Sequence, residues 1–242
     1  MIYKKVSSFY KSYKLRKCVI GYSFAGRPIF AFHVGSDLGR QYISTYAIHG
    51  REWVTALLGI YHIKHPTAAG GWIIPLVNPD GAVISNTAYP MWKANARGVD
   101  LNVNFDALWG TGRLNTTVRG AENCIGDAPF SESESSALAA FTKKIKPYVT
   151  FSFHTKGEEV YWEFEGKGDY KGARLIAAVT GYKIKKITGS AGGYKDWCIQ
   201  QLGIPAYTIE CAPDRLSHPI KKLRALSPCY NVLKFFTEHY EK

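Results

Sequence analysis

His49 and Glu52 stand three residues apart in His49-Gly50-Arg51-Glu52, at the end of an apolar run. If the chain turns from strand to helix there, both side chains face one point. Imidazole nitrogen and carboxylate oxygen are both good zinc ligands. Alone, the pair is a weak signal, because a histidine at such a turn equally well caps a helix or hydrogen-bonds within the core. His154 follows a second apolar run, in which Phe151 and Phe153 point to one face of a strand and His154 to the other. A histidine ending such a run is often structural, yet two histidines and a carboxylate form a catalytic zinc set with one position open. Glu210 ends Tyr207-Thr208-Ile209-Glu210. A carboxylate after an apolar strand is costly to bury without a partner. It is either half of a salt bridge at a sheet end, or a base that takes a proton from water and returns it to a leaving amine. His33, His62, His65, His218 and His239 have no partner at ligand spacing.

These side chains need a frame. Strands read at 29–34, at 44–48 running into His49, at 72–76, at 148–153 and at 206–209. Helices read at 54–65, stopped by Pro66, and from the capping box Ser131-x-x-Glu134 to about residue 145. Further helices read at 170–180, 194–201 and 232–240. Between them, residues 78–130 look irregular and open on the turn Asn78-Pro79-Asp80-Gly81. Loops of that length inside a domain are usually functional. Strands alternating with helices predict a single α/β domain, with a mixed, mostly parallel twisted sheet flanked by helices. Ligands bind beyond the carboxyl ends of strands in such sheets, and His49, His154 and Glu210 all fall there. Residues 1–18 read as a basic, Tyr- and Lys-rich lead-in, and 19–242 as the catalytic domain.

The net charge of +12 suits an acidic substrate or anionic polymer. Nucleic acid is not expected, because no zinc-finger spacing, aromatic RNA-binding motif or long basic helix accompanies the charge. No run of about 18 apolar residues marks a membrane span. The basic N-terminus has no apolar stretch of the signal-peptide kind, although a leader removed earlier would leave no trace. The five cysteines include no CxxC pair and are odd in number. That pattern favours free thiols in a cytoplasmic, reducing compartment, with secretion and one or two disulfides as the alternative.

Five ordered segments together resemble the M14 zinc carboxypeptidase family. They are Ala47-Ile48-His49-Gly50-Arg51-Glu52-Trp53, Val77-Asn78-Pro79-Asp80-Gly81, Gly98-Val99-Asp100-Leu101-Asn102, Ser152-Phe153-His154 and Thr208-Ile209-Glu210. The resemblance implies a sheet of roughly eight strands, one zinc ion per chain on His49, Glu52 and His154, and Glu210 as catalytic base. It implies a peptide substrate, with Arg51 beside the metal ligands, and a monomer is expected. The family pattern carries Asn-Arg after Val-Asp-x to grip the substrate's terminal carboxylate. Here the pair is Asn102-Val103, and valine donates no hydrogen bond. The family's pocket-closing tyrosine falls near Thr188 and is absent. Lys195 falls where the family sets side-chain specificity, and a cation there favours an anionic group. Asn102, Lys93 and Lys195 are the further substrate-contact candidates.

The stretches 92–100, 154–162 and 193–197 resemble the bacterial γ-D-glutamyl-diaminopimelate peptidases, which cleave cell-wall peptides. Such a substrate, murein-derived and acidic, fits a lysine in the pocket. Trimming of acidic residues from protein C-termini is the alternative, which Lys195 would also serve. For the oxyanion donor, the rigid guanidinium fork of Arg97 is preferred to Lys93, which directly follows Trp92.

Overall fold

The structure is a computed structural model and describes residues 1–240. The chain opens with α1 (Ile2–Ser12), β1 (Lys17–Tyr22), β2 (Pro28–Val34), β3 (Tyr42–Tyr46), α2 (Val54–Lys64), β4 (Gly71–Ile74) and α3 (Pro79–Thr87). After a long segment come α4 (Ser133–Ile145), β5 (Val149–Thr155), β6 (Glu159–Tyr161), β7 (Glu163–Phe164), β8 (Lys167–Gly168) and α5 (Tyr170–Thr180). The last elements are β9 (Lys183–Lys185), α6 (Tyr194–Leu202), β10 (Ala206–Cys211) and α7 (Val232–His239).

Eight strands form one sheet in the order β1-β2-β4-β3-β5-β10-β6-β9, and β7 pairs with β8 apart from it. The central run β4-β3-β5-β10 is parallel; β2 joins it antiparallel on one side and β6 on the other. This is the mixed, mostly parallel α/β sheet expected from the sequence. Strand alternation divides the core. Tyr46, Phe151, Phe153, Tyr207 and Ile209 face a layer that includes Leu58 of α2, Ile176 of α5 and Phe236 of α7. Ile43, Ile74 and Ala206 face the opposite layer, with Leu138 and Phe141 of α4 and Trp197 of α6. His154 and Glu210 alternate with the first set, so both point to the α4–α6 side.

Several sequence readings need correction. The lead-in holds an amphipathic helix, α1, whose Ile2 and Val6 are buried in the core. The Asn-Pro-Asp-Gly stretch is the start of α3 as well as a turn. Asn78 Oδ1 accepts from the Gly81 N–H at 2.8 Å and Pro79 sits in the first turn, a standard helix opening. The capping box at Ser131 does not form. Helix α4 begins at Ser133 after Glu132, while Ser131 Oγ donates to Glu132 Oε1 and Glu134 is buried. Strand β3 ends at Tyr46, so His49 lies three residues beyond it rather than directly at its end.

The segment between α3 and α4 holds a short 3-10 turn, Leu101–Val103, and an isolated bridge between Thr116 and Cys124, but no strand or long helix among the described residues. Amide side chains organise the rest. Asn95 Oδ1 accepts from the Arg97 and Val99 N–H groups, each at 3.0 Å. Asn104 Nδ2 donates to Ile125 O and Ala128 O at 2.8 and 3.0 Å. All five cysteines are free thiols, with Cys211 Sγ and Cys229 Sγ 3.2 Å apart. No helix among the described residues is long and apolar enough to cross a membrane.

Candidate active site

Past β3, the chain bends at Ala47, whose φ of +50° is unusual for a residue with a Cβ. Its N–H is held by Thr55 Oγ1 at 2.8 Å. The next residues form a 3-10 turn, Gly50–Glu52, that turns the Glu52 carboxylate back toward His49. Gly50 is required here, since a Cβ would lie 2.5 Å from Gly81 O. Asn78 fixes the approach from the other side: its Nδ2 donates to Ile48 O at 3.0 Å and to Ala94 O at 3.1 Å.

His49, Glu52 and His154 meet at one buried point, with one ligand atom of each within 4.8 Å of the others. His49 Nδ1 lies 2.9 Å from Glu52 Oε1, and His154 Nδ1 lies 3.2 Å from Glu52 Oε2. The far nitrogens are engaged elsewhere, His49 Nε2 with Asp100 Oδ1 at 3.1 Å and His154 Nε2 with Ser152 Oγ at 3.2 Å. With each Nε2 engaged outward, each Nδ1 faces the shared point, the arrangement that leaves Nδ1 available to a metal. His154 Nδ1 is buried without a well-aligned hydrogen-bond partner among the described residues. Two imidazoles and a carboxylate so arranged fit zinc. Burial alone would depress the His49 pKa, but the Glu52 and Asp100 carboxylates outweigh it and raise it to about 9. Burial would raise the Glu52 carboxyl, but the two histidines hold it well below the usual range. The pair thus attracts positive charge where a cation would sit.

Glu210 lies beside this point. Its Cα pairs with that of His154 across β5 and β10. Burial and then the Glu52 charge push its carboxyl well above the usual range. A dication close to Glu52 opposes that rise. Glu210 also lines a small cavity of about 70 Å³ with Asn102, Tyr161, Ser190, Lys195, Asp196 and Thr208.

The zinc carboxypeptidase family model matches residues 71–225. The chain belongs to the zinc carboxypeptidase family. Among its relatives, the gamma-D-glutamyl-L-diamino acid endopeptidase 1 of Lysinibacillus sphaericus is 27% identical over 246 residues, a match covering 84% of this chain and 62% of that protein. The chain therefore spans less than two thirds of that relative. Bovine thrombin-activatable fibrinolysis inhibitor, solved with a tick carboxypeptidase inhibitor, shares the fold with a TM-score of 0.83 at 21% identity, covering 98% of this chain and 93% of that one. The murein-tripeptide amidase MpaA of Escherichia coli O157 does so at 0.68 and 22% identity, covering 96% and 95%. The family match begins after His49 and Glu52, so the place of these two residues rests on the geometry above.

Within this zinc carboxypeptidase domain the remaining candidates separate. The preference for Arg97 as oxyanion donor is not supported by its surroundings. Its guanidinium lies 3.0 Å from Asp127 Oδ2 and 3.3 Å from the buried Glu132 Oε2, over the Phe24 ring. Lys93 is the cation against the ligand cluster. Its ammonium lies 2.7 Å from Asp100 Oδ2 and 3.3 Å from Asn123 Oδ1, and its carbonyl accepts from the Gly50 N–H at 2.9 Å. Burial pulls the Lys93 pKa down, but Asp100 outweighs it and leaves it raised. Asp100, overlooked in the sequence, thus joins His49 to Lys93. The motif Gly98-Val99-Asp100-Leu101-Asn102 was its only signal.

Arg51 pairs with Glu122 at 2.5 Å, and its Nε is buried without a partner. Asn102 lines the cavity and accepts from the Tyr194 N–H at 3.2 Å. Val103 is buried, so no polar group stands at that position. Lys195 does reach the cavity, but not as a free cation. It is 7% exposed, with its ammonium 2.5 Å from Asp196 Oδ1 and 2.7 Å from Glu163 O. Tyr161, in the short strand β6, was also overlooked; its hydroxyl donates to Glu159 Oε2.

Proposed function

We propose that this chain is a zinc peptidase that cleaves murein peptides at the γ-D-glutamyl–diaminopimelate bond. The observation that carries the catalytic part is the convergence of His49, Glu52 and His154 on one buried point with Glu210 in register beside His154. Zinc held by these three residues supplies Lewis acidity for a peptide carbonyl and for water. Glu210 takes the proton of the attacking water on its carboxylate and delivers it to the leaving nitrogen. The Lys93 ammonium, paired with Asp100 and donating to Asn123, keeps a hydrogen for the developing oxyanion.

The substrate reading rests on the cavity beside Glu210. Val103 offers no grip for a lone terminal carboxylate. Lys195 and Asp196 instead place an ammonium and a carboxylate side by side in the wall. The far end of diaminopimelate carries both charges on one carbon, so a zwitterion of that shape finds a partner for each. The likeness to a gamma-D-glutamyl-L-diamino acid endopeptidase supports the same substrate class. The deciding experiment incubates zinc-loaded protein with L-alanyl-γ-D-glutamyl-diaminopimelate and, separately, with a peptide ending in α-linked glutamate. Mass spectrometry is expected to find diaminopimelate released and the second peptide intact. Cleavage of the glutamate-tailed peptide alone would replace this reading with acidic C-terminal trimming.

A further inference from the structure

We propose that a groove of about 680 Å³ framed by residues 213–228 binds an acidic peptide segment lying beyond the catalytic cleft. The inference rests on the peptidase reading only for the kind of ligand. Four exposed cations line the groove, Arg215, Lys221, Lys222 and Arg224. None of the four side chains has an ion pair or hydrogen bond among the described residues. The acid in the same segment, Asp214, is matched by Lys156 at 3.5 Å, which leaves Glu158 as the groove's one acidic lining residue. The cations share the lining with partly or fully buried Leu216, Ile220 and Ala225. Unpaired charge above a low-dielectric floor concentrates the positive field more than the same charges spread on an open surface. Pro213, Pro219 and Pro228 fix backbone torsions along the walls, so the groove needs little ordering when filled.

Its position identifies the occupant. The Gly157 N–H donates to Ala212 O at 2.9 Å, and a Cβ on Gly157 would lie 3.5 Å from the Glu210 Cβ. Glu158 and Pro213, which follow this contact just past the ends of β5 and β10, both line the groove. The groove's rim therefore begins within a few residues of Glu210, at the edge of the sheet where an acidic segment of a bound peptide can reach it. Nucleic acid is disfavoured, because no aromatic side chain lines the groove to stack a base.

The test measures binding, not turnover. Zinc-loaded Glu210→Gln protein is titrated into fluorescein-labelled hexaglutamate at low salt and followed by anisotropy. A second protein adds Arg215→Gln, Lys221→Gln, Lys222→Gln and Arg224→Gln. A charge-matched control instead adds Lys4→Gln, Lys5→Gln, Lys11→Gln and Lys14→Gln, four exposed lysines in and just after α1. The groove protein is expected to bind about tenfold more weakly or worse, and the control within about twofold of the parent, as focused rather than total charge requires. Equal losses in both proteins overturn the proposal. So does tighter groove-dependent binding of a labelled thymidine hexanucleotide than of hexaglutamate. Circular dichroism checks folding, and the pairs Arg215→Gln/Arg224→Gln and Lys221→Gln/Lys222→Gln give the same readout if the fourfold variant is unstable. Groove binding in these proteins, beside zinc-loaded wild type that cleaves neither the diaminopimelate peptide nor the glutamate-tailed one, would sink the catalytic reading and leave this one standing.

Discussion

Glu210 and His154 are Cα partners on adjacent parallel strands, with their side chains on the same face of the sheet. The proposed base is thereby held beside a proposed metal ligand by the strand pairing rather than by a loop. Slipping β10 by one residue would turn Glu210 to the opposite face and break the site. Glu210→Gln keeps the shape and the strand while removing the proton carrier. Turnover is expected to fall by roughly 10²- to 10⁴-fold, the range of acid–base catalysis, with zinc content unchanged. Elemental analysis beside a peptide-hydrolysis assay checks this, and near-normal turnover in zinc-loaded protein would exclude Glu210 as base.

Asp100 is expected to govern metal affinity through His49. Its Oδ1 holds His49 Nε2 and its Oδ2 holds Lys93. Asp100→Asn leaves the imidazole poorly oriented and is expected to weaken zinc binding about 10- to 100-fold. It also leaves the Lys93 ammonium buried without its counter-charge, a loss of roughly 3–5 kcal/mol in stability. Competition with a chromogenic chelator measures the first effect and urea unfolding the second. Unchanged zinc affinity would mean that the carboxylate does not orient the ligand.

Removing zinc tests the cluster as a whole. Double replacement His49→Ala/His154→Ala should abolish stoichiometric zinc, since two of three ligands are lost. Wild type, held at a free zinc concentration a hundredfold above its dissociation constant, should be about 2.7 kcal/mol more stable than after chelation. The double variant should show no such difference. A variant that still binds one zinc per chain would place the metal elsewhere.

Lys195→Met tests the cavity. A partly desolvated charged hydrogen bond to the substrate carboxylate is lost, so kcat/KM on the diaminopimelate peptide should fall roughly 30- to 150-fold, equivalent to about 2–3 kcal/mol. The lysine-containing analogue lacks that carboxylate and should change little. Equal kinetics of both proteins on the diaminopimelate substrate would remove Lys195 from recognition.

His62 gives a pH signature remote from the metal. It is buried between the Tyr46 hydroxyl at 2.6 Å and Cys229 O at 3.1 Å. Burial depresses its pKa from 6.5 to about 4. The unfolded chain takes up this proton near its ordinary value, while the folded chain stays neutral until about pH 4. The contribution is therefore complete above pH 6.5 and falls as pH drops through that window, by about 3 kcal/mol in all. Urea midpoints at pH 7.5 and 4.5 should diverge less in His62→Gln than in wild type. Identical divergence would assign the acid sensitivity to other groups.

That His49, Glu52, His154 and Glu210 come together was legible because their residue types recur at or near the ends of apolar runs, where an α/β sheet gathers its ligand-binding residues. Asp100 was not, since its partnership with His49 spans a sequence separation of 51 and follows no helical or strand period. Nor was the fate of Lys195, whose counter-charge is its own neighbour, Asp196, a fact of rotamer rather than pattern. Helix α3 escaped because Asn-Pro-Asp-Gly is both a turn sequence and a helix opening. Strands β6 and β9 escaped because Glu159-Val160-Tyr161 and Lys183-Ile184-Lys185 offer too few apolar positions to reveal a period. Helix α1 could have been found from Ile2, Val6, Phe9 and Tyr13, spaced as one face of a helix among lysines.

The amide-tied segment between α3 and α4 carries Lys93, Asp100 and Asn102 to the site without a strand or long helix of its own. Asn95 and Asn104 fasten it through buried hydrogen bonds to neighbouring backbone. Its ordering entropy is therefore lost when the chain folds, not when a peptide arrives. Each residue fixed at folding is one whose cost of about 1–2 kcal/mol does not weaken substrate binding. Affinity for a peptide then reflects the contacts made at the cleft, and loosening Asn104 would slow capture of substrate even though it touches none.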